Sequence, residues 1–350
     1  MGPLHLLILF LFSLIPTKGS AQKTAYVFGD SLADVGNNNY LLTLLKANFP
    51  YNGIDFAGGK STGRYSNGKN SIDFIAEQLG IASPPPYLAI ASSPNNSDAF
   101  LRGVNFASGG AGIFDTTNKG QCLSFNKQIA YFSTVCSAMA EREGSIETQN
   151  HLARSIFALL IGSNDILAYL NDNGKVTPQQ FVSLLVSTLQ GQLKKLYNLG
   201  ARKFVFVGTG PIGCSPAQRR QSKTEDCNAS ANFLCDLYNH AVASLLQETK
   251  SELGDLSYSF FNSSLAMLQV IQKPYDYGLT EVKTACCGLG ELNAKVACTP
   301  ISAHCGSRNS YLFWDFYHPT EAVSRILAAE IFEGSAPLVY PVNVRELEDL

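Results

Sequence analysis

The sequence has little charge, and no excess of either sign. Acidic and basic residues make up 15%, with 26 Lys and Arg against 28 Asp and Glu, for a formal net charge of -2. That balance gives no reason to expect nucleic acid or an anionic membrane as a partner. Long apolar runs are also missing. Leu4 to Ile15, broken by His5 and Ser13, is too short to span a bilayer, and nothing after it is longer. There is no internal repeat, linker or low-complexity tract. No genuine phosphate loop is present either. Gly59-Lys60-Ser61-Thr62 resembles the end of one, but its preceding glycines are misplaced and no strand leads in. The same residues with Gly63 fit a nucleophile elbow on paper, but they lack the strand before and the helix after that the elbow needs. No cofactor is therefore expected.

What remains is an ordinary globular composition, 45% apolar over 350 residues, enough to bury a large core. Residues 1–21 read as a secretory signal, with small residues before a cut near Gly19 or Ala21. Residues 22–350 then form one domain. Nine cysteines follow the cut: Cys122, Cys136, Cys214, Cys227, Cys235, Cys286, Cys287, Cys298 and Cys305. In an oxidising compartment most should be disulfides, and an odd number leaves at least one thiol unpaired within the chain. Cys286, Cys287, Cys298, His304 and Cys305 can be drawn as a metal site, but secretion favours disulfides. Neighbouring Cys286 and Cys287 should bond elsewhere rather than to each other; the connectivity stays open. Sequons at Asn95, Asn228 and Asn262 fit secretion as well.

Periodicity predicts alternating strands and helices. Thr24 to Phe28 reads as a buried strand ended by Gly29, and Tyr40 to Phe49 as a short helix. Pro50 to Lys69 should be loop, and Ser71 to Leu79 a helix with Ser71 as its cap. After a proline-rich loop over 82–96, Phe100 to Phe106 reads as a second strand running into Ala107-Ser108-Gly109-Gly110-Ala111-Gly112. Phe125 to Ala140 should be helical. Ser155 to Ile161 is a strand ending in Gly162-Ser163-Asn164-Asp165, and Pro178 to Leu199 a long helix with proline in its first turn. Lys203 to Gly208 is a strand, Ser230 to Leu253 a helix, and Ser257 to Phe261 a fifth strand. A last helix should start at Pro319 and run to about Phe332. The alternation argues for an α/β domain with a mostly parallel sheet.

Reacting groups in such folds collect at the carboxyl ends of strands. Ser31 follows the first strand. A serine hydroxyl needs a base to take its proton, and the base needs a third group to orient it. His318 is one of only five histidines, and Asp315 lies three residues before it. Ser31 is thus the candidate nucleophile, His318 the base and Asp315 its orienter. Candidate donors to an oxyanion are the Ser31 and Gly110 backbone N–H groups and the Asn164 side-chain amide. Gly112 competes with Gly110 for that role. A metal-dependent hydrolase built on Asp30, Asp34, Asp165 and His318 is a further reading, but those residues show no recognised ligand spacing.

Four stretches carry a resemblance: Gly29-Asp30-Ser31-Leu32, Asn105 to Gly112, Gly162-Ser163-Asn164-Asp165 and Asp315-Phe316-Tyr317-His318-Pro319-Thr320. In this order and spacing they resemble the blocks of the plant GDSL-type esterase/lipase family, within the SGNH hydrolase superfamily. The resemblance implies a three-layer α/β/α fold with a flavodoxin-like, mostly parallel five-stranded sheet. It implies ester hydrolysis outside the cell, in the apoplast or wall, with Ser31, Gly110, Asn164 and His318 in the four named roles and Asp315 completing the triad. The implied partner is a small-molecule or polymer ester, with an acyl pocket shaped by loops 50–70 and 82–99. Two alternatives share the scaffold. One is acyl transfer from the same acyl-enzyme. The other is an idle wall or ligand-binding protein, whose mark would be loss of Ser31, Asn164 or His318; none is lost.

Overall fold

Alternation of large and small side chains along each strand builds the core. The computed structural model describes residues 23–93, 96–172 and 176–350; the expected signal segment lies outside them. Five strands run parallel: β1 (Ala25–Gly29), β2 (Val104–Asn105), β3 (Ile156–Leu160), β4 (Lys203–Val207) and β5 (Ser257–Phe261). Their order across the sheet is β2-β1-β3-β4-β5, the flavodoxin-like order. Successive strand residues face opposite sides. One face therefore collects Tyr26, Phe28, Phe157, Phe204, Phe206, Tyr258 and Phe260. The other collects Ala25, Val27, Ile156, Ala158, Leu160, Val205 and Val207.

Each face is covered by helices, giving three layers. Phe125–Glu143, Pro178–Asn198 and Ala229–Leu253 pack on the aromatic face through residues such as Phe132, Leu189 and Val242. Ser71–Leu79, Ser263–Gln272 and Glu321–Glu333 pack on the aliphatic face through Phe74, Met267 and Leu327. The long helices start where expected. Pro178 sits in a first turn, with Thr177 and Gln180 forming a capping box.

Several expectations are corrected. Tyr40 to Phe49 is not a helix; only a short 3-10 turn forms, at Asn37–Tyr40. The backbone groups that a helix would use are taken from outside. The Leu45 carbonyl accepts from the Asn38 amide and the Tyr65 hydroxyl, and the Leu45 N–H donates to the Thr43 hydroxyl. The cap of Ser71–Leu79 is Asn70 rather than Ser71, paired with Asp73 in a capping box. The second strand is only two residues long, because Asn96–Phe100 is helical and Gly103 turns against the Ala25 carbonyl. Pro319 precedes the last long helix instead of opening it; Thr320 is the cap. A sixth strand, Val339–Pro341, pairs antiparallel with β5 at the sheet edge, where proline's missing N–H is tolerated. Helices Ser145–Arg154, Ser163–Asn171 and Ser263–Gln272 were not legible in the pattern.

Six of the nine cysteines pair, as Cys214–Cys227, Cys286–Cys305 and Cys287–Cys298, so Cys286 and Cys287 do bond elsewhere. Cys122, Cys136 and Cys235 are thiols. Among the described residues, no helix is long and apolar enough to cross a membrane.

Candidate active site

Ser31 lies two residues past the carboxyl end of β1, and Asn164 lies four past that of β3. These strands flank the point where the strand order reverses, the usual crevice of a doubly wound sheet. Gly29 ends β1 at φ 145°, and a Cβ there would sit 2.2 Å from the Leu160 carbonyl oxygen, so only glycine lets the strands close at this level. The Gln128 side chain clamps Gly29: its Oε1 accepts the Gly29 N–H at 2.9 Å and its Nε2 donates to the Gly29 carbonyl at 2.8 Å. The turn that follows is held by buried polar side chains. Asp34 accepts from the Gly36, Asn37 and Gly109 N–H groups at 2.7, 2.7 and 2.9 Å. Asn37 donates to the Asn105 and Ala107 carbonyls, and Asn38 to those of Leu45 and Gly109. Gln128, Asn37 and Asn38 were given no role from the sequence, and Asp34 was weighed only as a metal ligand, not as the acceptor that holds this turn. The one available signal was the Asn-rich run after Gly36.

The other half of the site is a tight reversal. The Trp314 N–H donates to the His318 carbonyl at 2.8 Å, and Phe313 bridges Pro319, so residues 315–318 form the loop of a small hairpin. Asp315 Oδ1 accepts the Tyr317 and His318 N–H groups at 2.9 and 2.8 Å, which fixes the carboxylate. His318 Nδ1 lies 2.8 Å from both Asp315 oxygens, and His318 Nε2 lies 2.7 Å from Ser31 Oγ. The Tyr65 ring packs 5.0 Å from the imidazole. Burial works against a charged imidazole. The Asp315 carboxylate, through its charge and hydrogen bond, and the charge of Asp30 outweigh that burial and raise the His318 pKa above its ordinary value.

The three expected oxyanion donors border the same cavity as Ser31 and His318. The Ser31 and Gly110 N–H groups have no acceptor among the described residues. Gly110 has φ 88°, and its carbonyl is held by the Asn118 amide at 2.8 Å. Gly112 does not reach the cavity. Its carbonyl accepts from Phe125 N–H, and the space beside its Cα is filled by Asp165 and Thr117. Asn164 Nδ2 donates to the Ala111 carbonyl at 3.0 Å and lies 3.5 Å from Asp30 Oδ2.

The carboxylates weighed as metal ligands are otherwise engaged. Asp165 accepts from Ile113 N–H, Phe114 N–H and the Thr117 hydroxyl, tying the glycine-rich loop to the helix that carries Asn164. Asp34 is spent on backbone N–H groups, and burial pushes its pKa up to about 6. Asp30 accepts the Leu32 N–H at 3.0 Å, and burial pushes it up to about 7. Among the described residues, no group of three such side chains converges as a metal site. Of the sequon residues, Asn95 lies outside the described residues. Asn228 and Asn262 are half-buried helix caps, and the Asn228 amide donates to Gln218 Oε1 at 3.1 Å.

The cavity has a volume of about 660 Å³, in the usual range for a small-molecule site. Ser31, Asn164 and His318 stand on one wall. Below them the ends of β3, β4 and β5 contribute Leu160, Val207 and Phe261, and the helices on the aliphatic face contribute Met267, Leu327 and Ile331. The cavity therefore has a polar wall beside an apolar bed. Loop 50–70, expected to shape it, does reach it through Asn52, Tyr65, Ser66 and Asn70, whereas no described residue of 82–99 lines it.

A hydroxyl, an imidazole and a carboxylate in line, beside free N–H donors and an apolar bed, suit the cleavage of esters. The model of the GDSL-like Lipase/Acylhydrolase family matches residues 26–331. One GDSL esterase/lipase of Arabidopsis thaliana is 41% identical over 334 residues, covering 92% of this chain and 89% of its own length. A second from the same plant is 39% identical over 343 residues, covering 94% and 95%. A third, GDSL esterase/lipase 7, is 39% identical over 339 residues, covering 93% and 92%. The chain belongs to the GDSL lipase/acylhydrolase family, and it is a carboxylic ester hydrolase.

Proposed function

We propose that the chain is a secreted serine esterase that cleaves carboxylic esters with an apolar acyl group, through an acyl-enzyme on Ser31. The observation that carries this is the hydrogen-bonded line from Ser31 Oγ through His318 to Asp315, at 2.7 and 2.8 Å, on the wall of an apolar cavity. Ser31 Oγ attacks the ester carbonyl carbon while its proton passes to His318 Nε2. Asp315, bonded to Nδ1, holds the ring and stabilises the imidazolium. The carbonyl electrons move onto oxygen, which the Ser31 N–H, the Gly110 N–H and the Asn164 amide receive. Collapse re-forms the carbonyl and expels the alcohol, which takes the proton from His318. A water molecule, deprotonated by His318, then attacks the acyl-enzyme. The acid leaves and Ser31 regains its proton.

Residues 22–350 act as one hydrolase domain after a signal over 1–21 is removed. The three disulfides support an oxidising compartment, outside the cell in the wall space. Transit through that pathway opens Asn95, Asn228 and Asn262 to glycan transfer. The test is a fluorophosphonate probe on the purified protein beside Ser31→Ala. The parent should be labelled once, at Ser31, and Ser31→Ala not at all. A folded parent that resists the probe, or a Ser31→Ala protein that retains ester hydrolysis, would overturn the assignment.

A further inference from the structure

Two uncharged segments reach the cavity and carry apolar side chains that stand in water. One is the loop after the 3-10 turn, where Leu42 is 101% exposed and Leu44 95%. The other is the segment after the Cys287–Cys298 disulfide, where Ile301 is 84% exposed. Leu44 and Pro300 border the cavity; Leu42 and Ile301, two residues before the one and next after the other, do not line it, and we call the two segments together its rim. From Gly36 to Leu45, and from Val296 to Ala303, there is no charged residue; of the single lysines that flank them, Lys46, which lines the cavity, donates to the Asn39 carbonyl at 3.3 Å, and Lys295 is exposed. Neither segment is loose. The first is tied through the Leu45 carbonyl to Asn38 and Tyr65, and the second is closed by disulfides at Cys298 and Cys305. The rim is thus braced with its leucines and isoleucine held outward, where each loses the stabilisation that burial would bring.

We propose that this rim docks on the surface of an uncharged, aggregated ester lipid, seating the cavity mouth on the phase that supplies its substrate. The absence of charge on both segments favours a neutral surface over an anionic one, which would attract clustered Lys or Arg. Continuity of the rim with the apolar bed gives an acyl chain a dry path from that phase to Ser31. The inference rests on the ester-hydrolase reading for its choice of surface, but binding to that surface needs no turnover.

The test uses the full-length Ser31→Ala protein floated with a triolein emulsion in a density gradient. It should rise with the droplets. Adding Leu42→Asp and Ile301→Asp should lower the bound fraction at least about tenfold, from the apolar transfer lost at two sites. In the parent background the same pair should leave hydrolysis of dissolved p-nitrophenyl butyrate unchanged, since neither side chain borders the cavity. If the aspartates impair folding, Leu42→Ser with Ile301→Ser repeats the comparison. Ser31→Ala protein that stays below the droplets, or that rises equally with the substituted rim, would overturn the proposal. So would a parent dimer, seen by light scattering, that the rim substitutions disperse. Failure to hydrolyse p-nitrophenyl butyrate would count against the esterase reading alone, because flotation is read without turnover.

Discussion

The two halves of the site are held by different means. The Ser31 half is held by buried polar side chains: Gln128 clamps Gly29, while Asp34, Asn37 and Asn38 satisfy the backbone of the turn and of the glycine-rich loop. The His318 half leans on a covalently braced lobe. Trp314, fully buried, packs with Cys286, Cys287 and Cys298, and its indole N–H donates to Asn52. The Cys286 and Cys287 N–H groups donate to the Phe313 and Trp314 carbonyls, beside the Asp315–His318 turn. A strand end in a parallel sheet is already positioned by its neighbours and needs only its polar groups satisfied. A reversal on the periphery, with little sheet around it, needs cross-links. The two halves should therefore respond differently to substitution and to reductant.

The largest effect expected on the His318 half comes from Asp315→Asn. Loss of the orienting carboxylate should lower turnover by about 10⁴-fold, as a misoriented tautomer does in other triads. The neutral imidazole is the active base, so parent activity should rise with pH through a midpoint above the ordinary histidine value of 6.5, because Asp315 raises the His318 pKa. In Asp315→Asn the residual activity should show its midpoint at lower pH. An unchanged pH profile would remove Asp315 from the assigned role. On the Ser31 half, Asn164→Ala should lower turnover by about 10²–10³-fold with little change in KM. An unchanged turnover number would leave Asn164 as a structural tie to the Ala111 carbonyl.

Reduction should sharpen the contrast. Loops of 19 and 11 residues close at Cys286–Cys305 and Cys287–Cys298, and each should contribute about 3 kcal/mol. Cys287→Ser with Cys298→Ser should lower the melting temperature and weaken ester turnover, through a loosened Asp315–His318 turn. Hydrogen exchange at Gly29 to Asn38 should stay as slow as in the parent at temperatures below unfolding. Equal loosening of both halves would contradict the division.

Much of this was legible because it is local. Tyr26 to Phe28, Ile156 to Leu160, Lys203 to Val207 and Ser257 to Phe261 announce buried strands through apolar and aromatic runs, and their ends point to Ser31 and Asn164. Asp315 and His318 were close in sequence, so their pairing needed no knowledge of the fold. What escaped depends on partners far along the chain. The leucines at 41–45 suggested a helix, but Asn38 and Tyr65 capture their backbone. Gly110 and Gly112 were indistinguishable as letters. Their different surroundings, a cavity wall against the packed Asp165 and Thr117, arise only on folding. The clamp by Gln128 spans 99 residues and leaves no local mark.

The most direct test of the central claim is to trap the intermediate. The protein is mixed with p-nitrophenyl octanoate, quenched in acid within one turnover and digested, and the peptide bearing Ser31 is weighed. The account predicts an octanoyl group on Ser31, formed with the burst of nitrophenol and absent from Ser31→Ala. Turnover without an adduct at Ser31, or an adduct that survives in Ser31→Ala, would contradict it.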